Sequence, residues 1–104
     1  MEALEVERNE DGHWTHPDYS ALFGDREIIS PDEFKSFCSK HGIESSITEM
    51  ECDNNQTAID SYFEDGNPNI SGWEPSKPDG DGWFIGSIHD TEDGPLCVWF
   101  RKKN

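Results

Sequence analysis

Residues 82–100 read GWFIGSIHDTEDGPLCVWF, two apolar segments separated by a strongly acidic loop. Large apolar residues occupy successive positions in both segments, and the period of two in a β-strand sends neighbouring side chains to opposite faces. Trp83 and Ile85 are predicted on one face of the first strand, and Phe84 and Ile88 on the other. The Asp-Gly-Pro run between the segments is typical of a hairpin turn. We therefore expect two central strands, with helices packed on at least one face of their sheet.

Residues 30–42, SPDEFKSFCSKHG, predict a helix with both ends specified locally. Ser30 is a capping residue, Pro31 occupies the first turn, and Glu33 completes a capping box. Gly42 supplies the left-handed residue that ends the helix. Four side chains at i, i+3, i+4 and i+7 form an apolar stripe: Phe34, Phe37, Cys38 and His41.

A second helix is predicted over residues 54–66, where apolar residues again recur with helical spacing. Asp53 or Asn54 is expected to cap its start, and Gly66 its end. These two helices are the only ones that the sequence predicts. The other segments are predicted as a strand over 43–52, a short edge strand or amphipathic turn over 2–7, an irregular segment over 8–27, and a loop over 67–82.

Together these elements predict one α+β domain spanning residues 1–104. Its architecture is two helices packed on a small, mainly antiparallel sheet that ends in a C-terminal β-hairpin. Twelve aromatic residues give so short a chain enough apolar area for a compact core.

The chain carries a net charge of −15, from 23 acidic and 8 basic residues. Residues 42–100 contain thirteen carboxylates, and Lys77 is their only lysine or arginine. The negative electrostatic field around such a chain repels nucleic acids and anionic membranes and attracts basic protein surfaces. Direct binding of DNA or RNA is disfavoured because it requires cations to neutralise phosphates. The simpler alternative is that the acidity only keeps the protein in solution.

The acidic surface is the leading candidate for a functional site, because carboxylates spaced along a rigid scaffold imitate the regular charge of duplex DNA. Trp73 is predicted to be an anchor residue of the same interface, since tryptophan is enriched at binding hot spots. The predicted partner-binding residues are Glu49, Glu51, Asp60, Glu64, Trp73, Asp90, Glu92 and Asp93.

A metal site is the main alternative, because His13 and His16 lie close in sequence to Asp18, and His89 adjoins further carboxylates. Imidazole and carboxylate are common metal ligands. The loops at 79–82 and 90–101 do not match an EF-hand, so turn formation explains them better. No cofactor is predicted.

Nucleophilic catalysis is also disfavoured by the sequence. Cys38 and His41 share a helical face, but that face is the apolar stripe, which favours a structural pair over a catalytic dyad. Three cysteines without a CxxC pair are predicted to be reduced, apolar core residues and not part of a disulfide scaffold or structural zinc site.

Residues 1–12 lack a signal peptide, and no apolar run approaches eighteen residues, so a soluble, unexported protein is expected.

Three stretches give the chain a resemblance to small acidic accessory proteins encoded by enterobacterial phages and prophages. They are HWTHPDY (13–19), ISGWEPSKPDGDGWF (70–84) and SIHDTEDGPLCVWFR (87–101). The resemblance implies a protein made in the cytoplasm of a bacterial host, where it interferes with a host factor or defence system, and it carries over no catalytic residues. A structural or virion-associated part is a third possibility.

Overall fold

The computed structural model describes residues 2–24, 29–92 and 94–103; the predicted site residue Asp93 lies outside these ranges. Its elements, in chain order, are β1 (Trp14–Thr15), α1 (Pro17–Phe23), α2 (Pro31–His41), β2 (Ile43–Glu49), a 3₁₀-helix (Met50–Cys52), α3 (Gln56–Ile59) continued by a π-helix (Asp60–Glu64), β3 (Phe84–His89) and β4 (Leu96–Lys102).

The four strands form one antiparallel sheet in the order β1-β3-β4-β2. This confirms the predicted α+β class and the C-terminal hairpin, which is β3 and β4. The described residues contain three α-helices, so the predicted number of two is wrong. The additional helix is α1, within the segment predicted to be irregular.

Helix α1 begins with an uncommon cap. The ring nitrogen Nδ1 of His16 accepts a hydrogen bond from the backbone N–H of Asp18 at 3.1 Å, and Pro17 fills the first helical position. Histidine is not among the usual capping residues, so a search for Ser, Thr, Asp or Asn misses this start.

Helix α2 has the ends that the sequence predicts. The side chain of Ser30 accepts a hydrogen bond from the backbone of Glu33, and the side chain of Glu33 accepts one from the backbone of Ser30. Gly42 adopts a left-handed conformation with φ of 62°.

The second predicted helix and two of the predicted strands differ from the structure. Helix α3 is capped by Asn55, whose side chain accepts a hydrogen bond from the N–H of Ala58 at 3.1 Å, so the prediction of Asp53 or Asn54 is wrong. Strand β2 ends at Glu49, three residues earlier than predicted. Residues 2–7 form no regular element.

A β-bulge interrupts the hairpin at Gly86. Ile85 pairs with Trp99 and Ser87 pairs with Val98, so Gly86 is an extra residue on β3. A bulge reverses the side-chain alternation of the strand beyond it, which the period of two cannot anticipate.

The bulge moves Ile88 to the opposite face from the predicted one. Ile88 packs in the same cluster as Ile85, whereas Phe84 packs in the other. The predicted pairing of Phe84 and Ile88 on one face is therefore wrong. A Cβ atom at Gly86 would lie 2.1 Å from Cε2 of Phe100, so the bulge and the buried ring together require glycine.

Each face of the sheet carries its own core. On what we call the helix face, α1 and α2 cover the sheet, and the buried residues are Tyr19, Phe37, Ile43, Val98 and Phe100. On the loop face, α3 and the 67–82 loop cover it, and the buried residues are Met50, Ile70, Trp73, Ile88, Cys97 and Trp99. Strand β4 contributes alternately to both cores, as expected for a central strand.

Arg8 ties the N-terminal segment to the 67–82 loop. Its guanidinium donates hydrogen bonds to the carbonyl oxygens of Gly12, Ile70 and Trp73. Burial is the main influence on this cation and lowers its pKa. Arg8 is therefore a structural cation that holds two irregular segments together, which explains how so long a loop is fixed.

The three cysteines have different environments. Cys97 is 0% exposed, as predicted for an apolar core residue, whereas Cys52 is exposed and does not fit that prediction. Burial raises the pKa of Cys97 from 9.0 to about 12, which lowers its thiolate fraction at neutral pH by about a thousandfold.

We expect a thiol reagent to label Cys52 in the native protein and Cys97 only after urea is added, as measured by mass spectrometry. Rapid native labelling of Cys97 would contradict this packing.

Candidate partner-binding surface

One end of the sheet gathers the segments that carry the predicted acidic site residues. The backbone N–H of Met50 donates to the carbonyl of Pro95 at 2.9 Å, which joins the end of β2 to the hairpin loop. The hydroxyl of Tyr62 lies 2.7 and 2.8 Å from the two carboxylate oxygens of Asp90, which joins the π-helix to the same loop. We call this region the acidic end; its acids are Glu49, Glu51, Asp60, Glu64, Asp90 and Glu92.

Four of these acids are exposed: Glu49, Glu51, Glu64 and Glu92. None of the four forms an ion pair within the part of the chain that the structure describes. The other two accept hydrogen bonds, Asp90 from Tyr62 and Asp60 from Gln56 at 2.7 Å. The exposed carboxylates are therefore available to a cationic partner.

Most of the cations lie at the opposite end of the sheet. Lys102 pairs with Ile43 at the start of β2, directly after the end of α2. Five of the eight lysines and arginines are on α2, at the end of β4 or directly after it: Lys35, Lys40, Arg101, Lys102 and Lys103. We call this region the basic end.

The basic end partly neutralises its own acids. Arg101 forms an ion pair with Glu44, and its guanidinium lies 4.5 Å from the centre of the Trp83 ring. The ring quadrupole attracts such a cation. The fold thus separates charge along the sheet, with most of the lysines and arginines towards one end and four exposed, unpaired carboxylates at the other.

Trp73 is not at the surface, and this part of the site prediction is wrong. Its side chain is 0% exposed, and its Nε1–H donates a hydrogen bond to Asp53 at 2.9 Å. Burial opposes ionisation of Asp53, but hydrogen bonds from Ser76, Asn54 and Trp73 outweigh it and lower the pKa of this carboxyl. Trp73 is a core residue because the loop that carries it folds back onto the sheet.

The predicted metal ligands do not assemble. His16 is 2% exposed and uses both ring nitrogens: Nδ1 accepts from the Asp18 N–H, and Nε2 donates to the carbonyl of Glu2 at 2.7 Å. Across residues 2–24, 29–92 and 94–103, no three histidine, cysteine or carboxylate side chains are grouped to hold a metal ion. His16 therefore serves as a helix cap and a tie to the N-terminal segment.

Strands β1 and β3 are linked by a chain of side-chain hydrogen bonds that no sequence motif predicts. The Ser87 hydroxyl lies 2.7 Å from Nδ1 of His89 and 3.0 Å from the hydroxyl of Thr15. Burial, followed by the charge of His13, lowers the pKa of His89 against the opposing effect of Asp90. Ser87 is only 1% exposed, so a substrate cannot reach its oxygen, and the chain is a structural link between strands.

The helical Cys38–His41 pair offers no activated thiol. Burial raises the pKa of Cys38 despite a hydrogen bond with Ser45, whereas a nucleophilic cysteine requires a lowered pKa. His41 packs against Phe37, with 4.5 Å between ring centroids.

Comparison with protein-family models, with curated proteins and with solved structures found no match. Among the described residues, no helix has both the length and the apolar character needed to cross a bilayer.

Proposed function

We propose that this chain is a non-enzymatic binding protein that docks its acidic end onto a basic surface of another protein. The observation that carries the proposal is the separation of charge, with four exposed, unpaired carboxylates at one end of the sheet and most cations at the other. A uniformly acidic coat would provide solubility equally well. A polarised one also orients the molecule as it approaches a cationic partner.

The resemblance to phage and prophage accessory proteins supports a host protein as that partner, met in the bacterial cytoplasm. The basic surfaces with the greatest need for exposed cations are nucleic-acid sites, because each phosphate contact uses a lysine or arginine. We therefore propose that the acidic end occupies the nucleic-acid site of a host defence or nucleic-acid-binding complex as a DNA mimic. The metal-dependent alternative is less well supported, since both ring nitrogens of His16 form hydrogen bonds within the protein.

The test is capture of host proteins by the tagged chain and by two doubly neutralised variants. Glu64→Gln with Glu92→Gln changes the acidic end, whereas Asp79→Asn with Asp81→Asn makes the same change of charge in the exposed loop beside Arg101. Exposed ion pairs contribute up to about 1 kcal/mol each, so we expect the first variant to bind its partner about tenfold more weakly. The control variant should bind within about twofold of the original chain.

Two further measurements separate the parts of the proposal. Capture should weaken as salt rises, because ions screen exposed charges over about 8 Å at physiological ionic strength. Added duplex DNA should release the captured partner if the two share a site. Capture that resists both salt and the Glu64/Glu92 change would show that the acidic end is not the docking surface. If duplex DNA does not compete, the proposal of DNA mimicry is wrong, whereas docking of the acidic end onto a basic protein surface is not contradicted.

A further inference from the structure

Strand β2 forms one edge of the sheet. It pairs with β4 along its whole length, and nothing in the strand order lies beyond it. Within the described residues, no main-chain hydrogen bond from any element other than β4 reaches β2 between Glu44 and Glu49. The far side of the strand therefore presents unpaired backbone groups.

Two hydrogen bonds determine which backbone groups face outward. The carbonyl of Gly42 accepts from the N–H of Lys103 at 2.8 Å, and the N–H of Met50 donates to the carbonyl of Pro95 at 2.9 Å. In an antiparallel ladder, bonded and non-bonded pairs alternate, so even-numbered residues of β2 bond to β4. The residues whose N–H and C=O groups point outward are Ile43, Ser45, Ile47 and Glu49.

The side chains of the same residues define the chemistry of this edge. Ile47 is 56% exposed, near the middle of the outward-facing set, although it pairs with the buried Val98. Glu49 is exposed two residues further on, on the same face, and belongs to the acidic end. Natural edge strands are commonly protected by a charge at such a central position. Here an isoleucine occupies it, and the charge lies beside it.

We infer that the outer edge of β2 binds an extended segment of the partner protein by strand addition. The segment places an apolar side chain beside Ile47 and a lysine or arginine beside Glu49, and its backbone bonds to Ser45, Ile47 and Glu49. This mode gives affinity through main-chain bonds and specificity through alternate side chains. A second copy of this chain is a poorer occupant because each copy carries a net charge of −15.

This inference rests on the proposed function, because it takes the partner to be basic. The probe is a blocked seven-residue peptide that alternates threonine with lysine and valine, so that lysine and valine share one face. Its control is the same peptide N-methylated at alternate residues, which keeps the charge and removes the donors on one edge. NMR amide exchange is measured for the inward residues Ser46 and Thr48 and for the outward residues Ser45, Ile47 and Glu49.

In the free protein, the outward amides should exchange much faster than the inward ones. A saturating amount of the unmodified peptide should slow the outward amides at least about tenfold, because a bonded amide exchanges only when the pairing opens. The N-methylated peptide should leave them unchanged. Ile47→Thr should weaken peptide binding about tenfold. Leu4→Thr, which alters another exposed apolar residue that belongs to no strand, should have no effect.

Other outcomes would overturn the inference. If both peptides bind equally and perturb only residues such as Glu64 and Glu92, the peptide does not bind to the edge of β2. That result contradicts strand addition but not docking by the acidic end. If a peptide with glutamine in place of lysine binds equally well, the requirement for a basic segment is wrong, and the proposed function is weakened with it. Self-association in sedimentation that disappears in Ile47→Thr would assign the edge to a second copy.

Discussion

Replacing Gly86 with alanine is expected to destabilise the protein by about 3 kcal/mol or more, a large part of the total for a small domain. The added Cβ would lie 2.1 Å from Cε2 and 2.3 Å from Cδ2 of Phe100. Neither side can yield easily, because Gly86 is the bulged residue of a central strand and the Phe100 ring is 0% exposed. Relief would require the ring to leave the helix-face core or the hairpin to lose its register.

Urea denaturation monitored by circular dichroism measures this effect. The matched control is Gly72→Ala, because a Cβ there meets no atom within 4 Å and the backbone is not left-handed. We expect that control to change the free energy of unfolding by less than about 1 kcal/mol. Adding Phe100→Leu to Gly86→Ala should recover part of the loss if the ring is the obstacle. Equal stability of the Gly86 and Gly72 variants would mean that the bulge is placed incorrectly.

Replacing Trp73 with alanine is expected to lower the free energy of unfolding by about 3–5 kcal/mol, the usual result of emptying a buried aromatic site. The conservative variant Trp73→Phe keeps most of the packing but removes the N–H that bonds to Asp53. Leaving that carboxylate with one donor fewer should cost about 1–2 kcal/mol. Denaturation of both variants beside Trp83→Phe, a half-buried tryptophan, measures these differences.

The same variants separate a core residue from a binding residue. If Trp73 is purely structural, Trp73→Phe should lose stability and retain partner capture. Unchanged stability together with lost capture would contradict the structural role of Trp73 in the core.

Asp53 also predicts a pH dependence of stability. Because the pKa of its carboxyl is lowered in the folded protein, the stabilisation from Asp53 is present above about pH 3.8 and is lost as the pH falls through the folded pKa.

Elements whose signals are local in sequence were predicted well. Helix α2 carries its cap, first-turn proline, apolar stripe and terminal glycine within thirteen consecutive residues, and all of these have the expected roles. The hairpin was found for the same reason, since its two strands and its turn are contiguous. No contact with a distant segment is needed to specify either element.

The errors arise where a distant segment decides the outcome. Asp53 does not cap α3 because it accepts hydrogen bonds from Trp73 and Ser76, some twenty residues away. Ile88 changes face because a bulge on β3 accommodates a ring of β4. Neither contact leaves a trace in the local pattern of residues.

By itself, the sequence determined the amount and sign of the charge, the α+β class and the locally specified helix and hairpin, because these depend on composition and on neighbours along the chain. Only the tertiary structure decided that the carboxylates of β2, the π-helix and the hairpin share one end of the sheet while most cations lie at the other. It also decided that β2 is an edge strand with Ile47 exposed. Strand order and register bring together residues up to 74 positions apart, such as Trp14 and Ile88, and the free energy that selects these pairs belongs to the whole packed core.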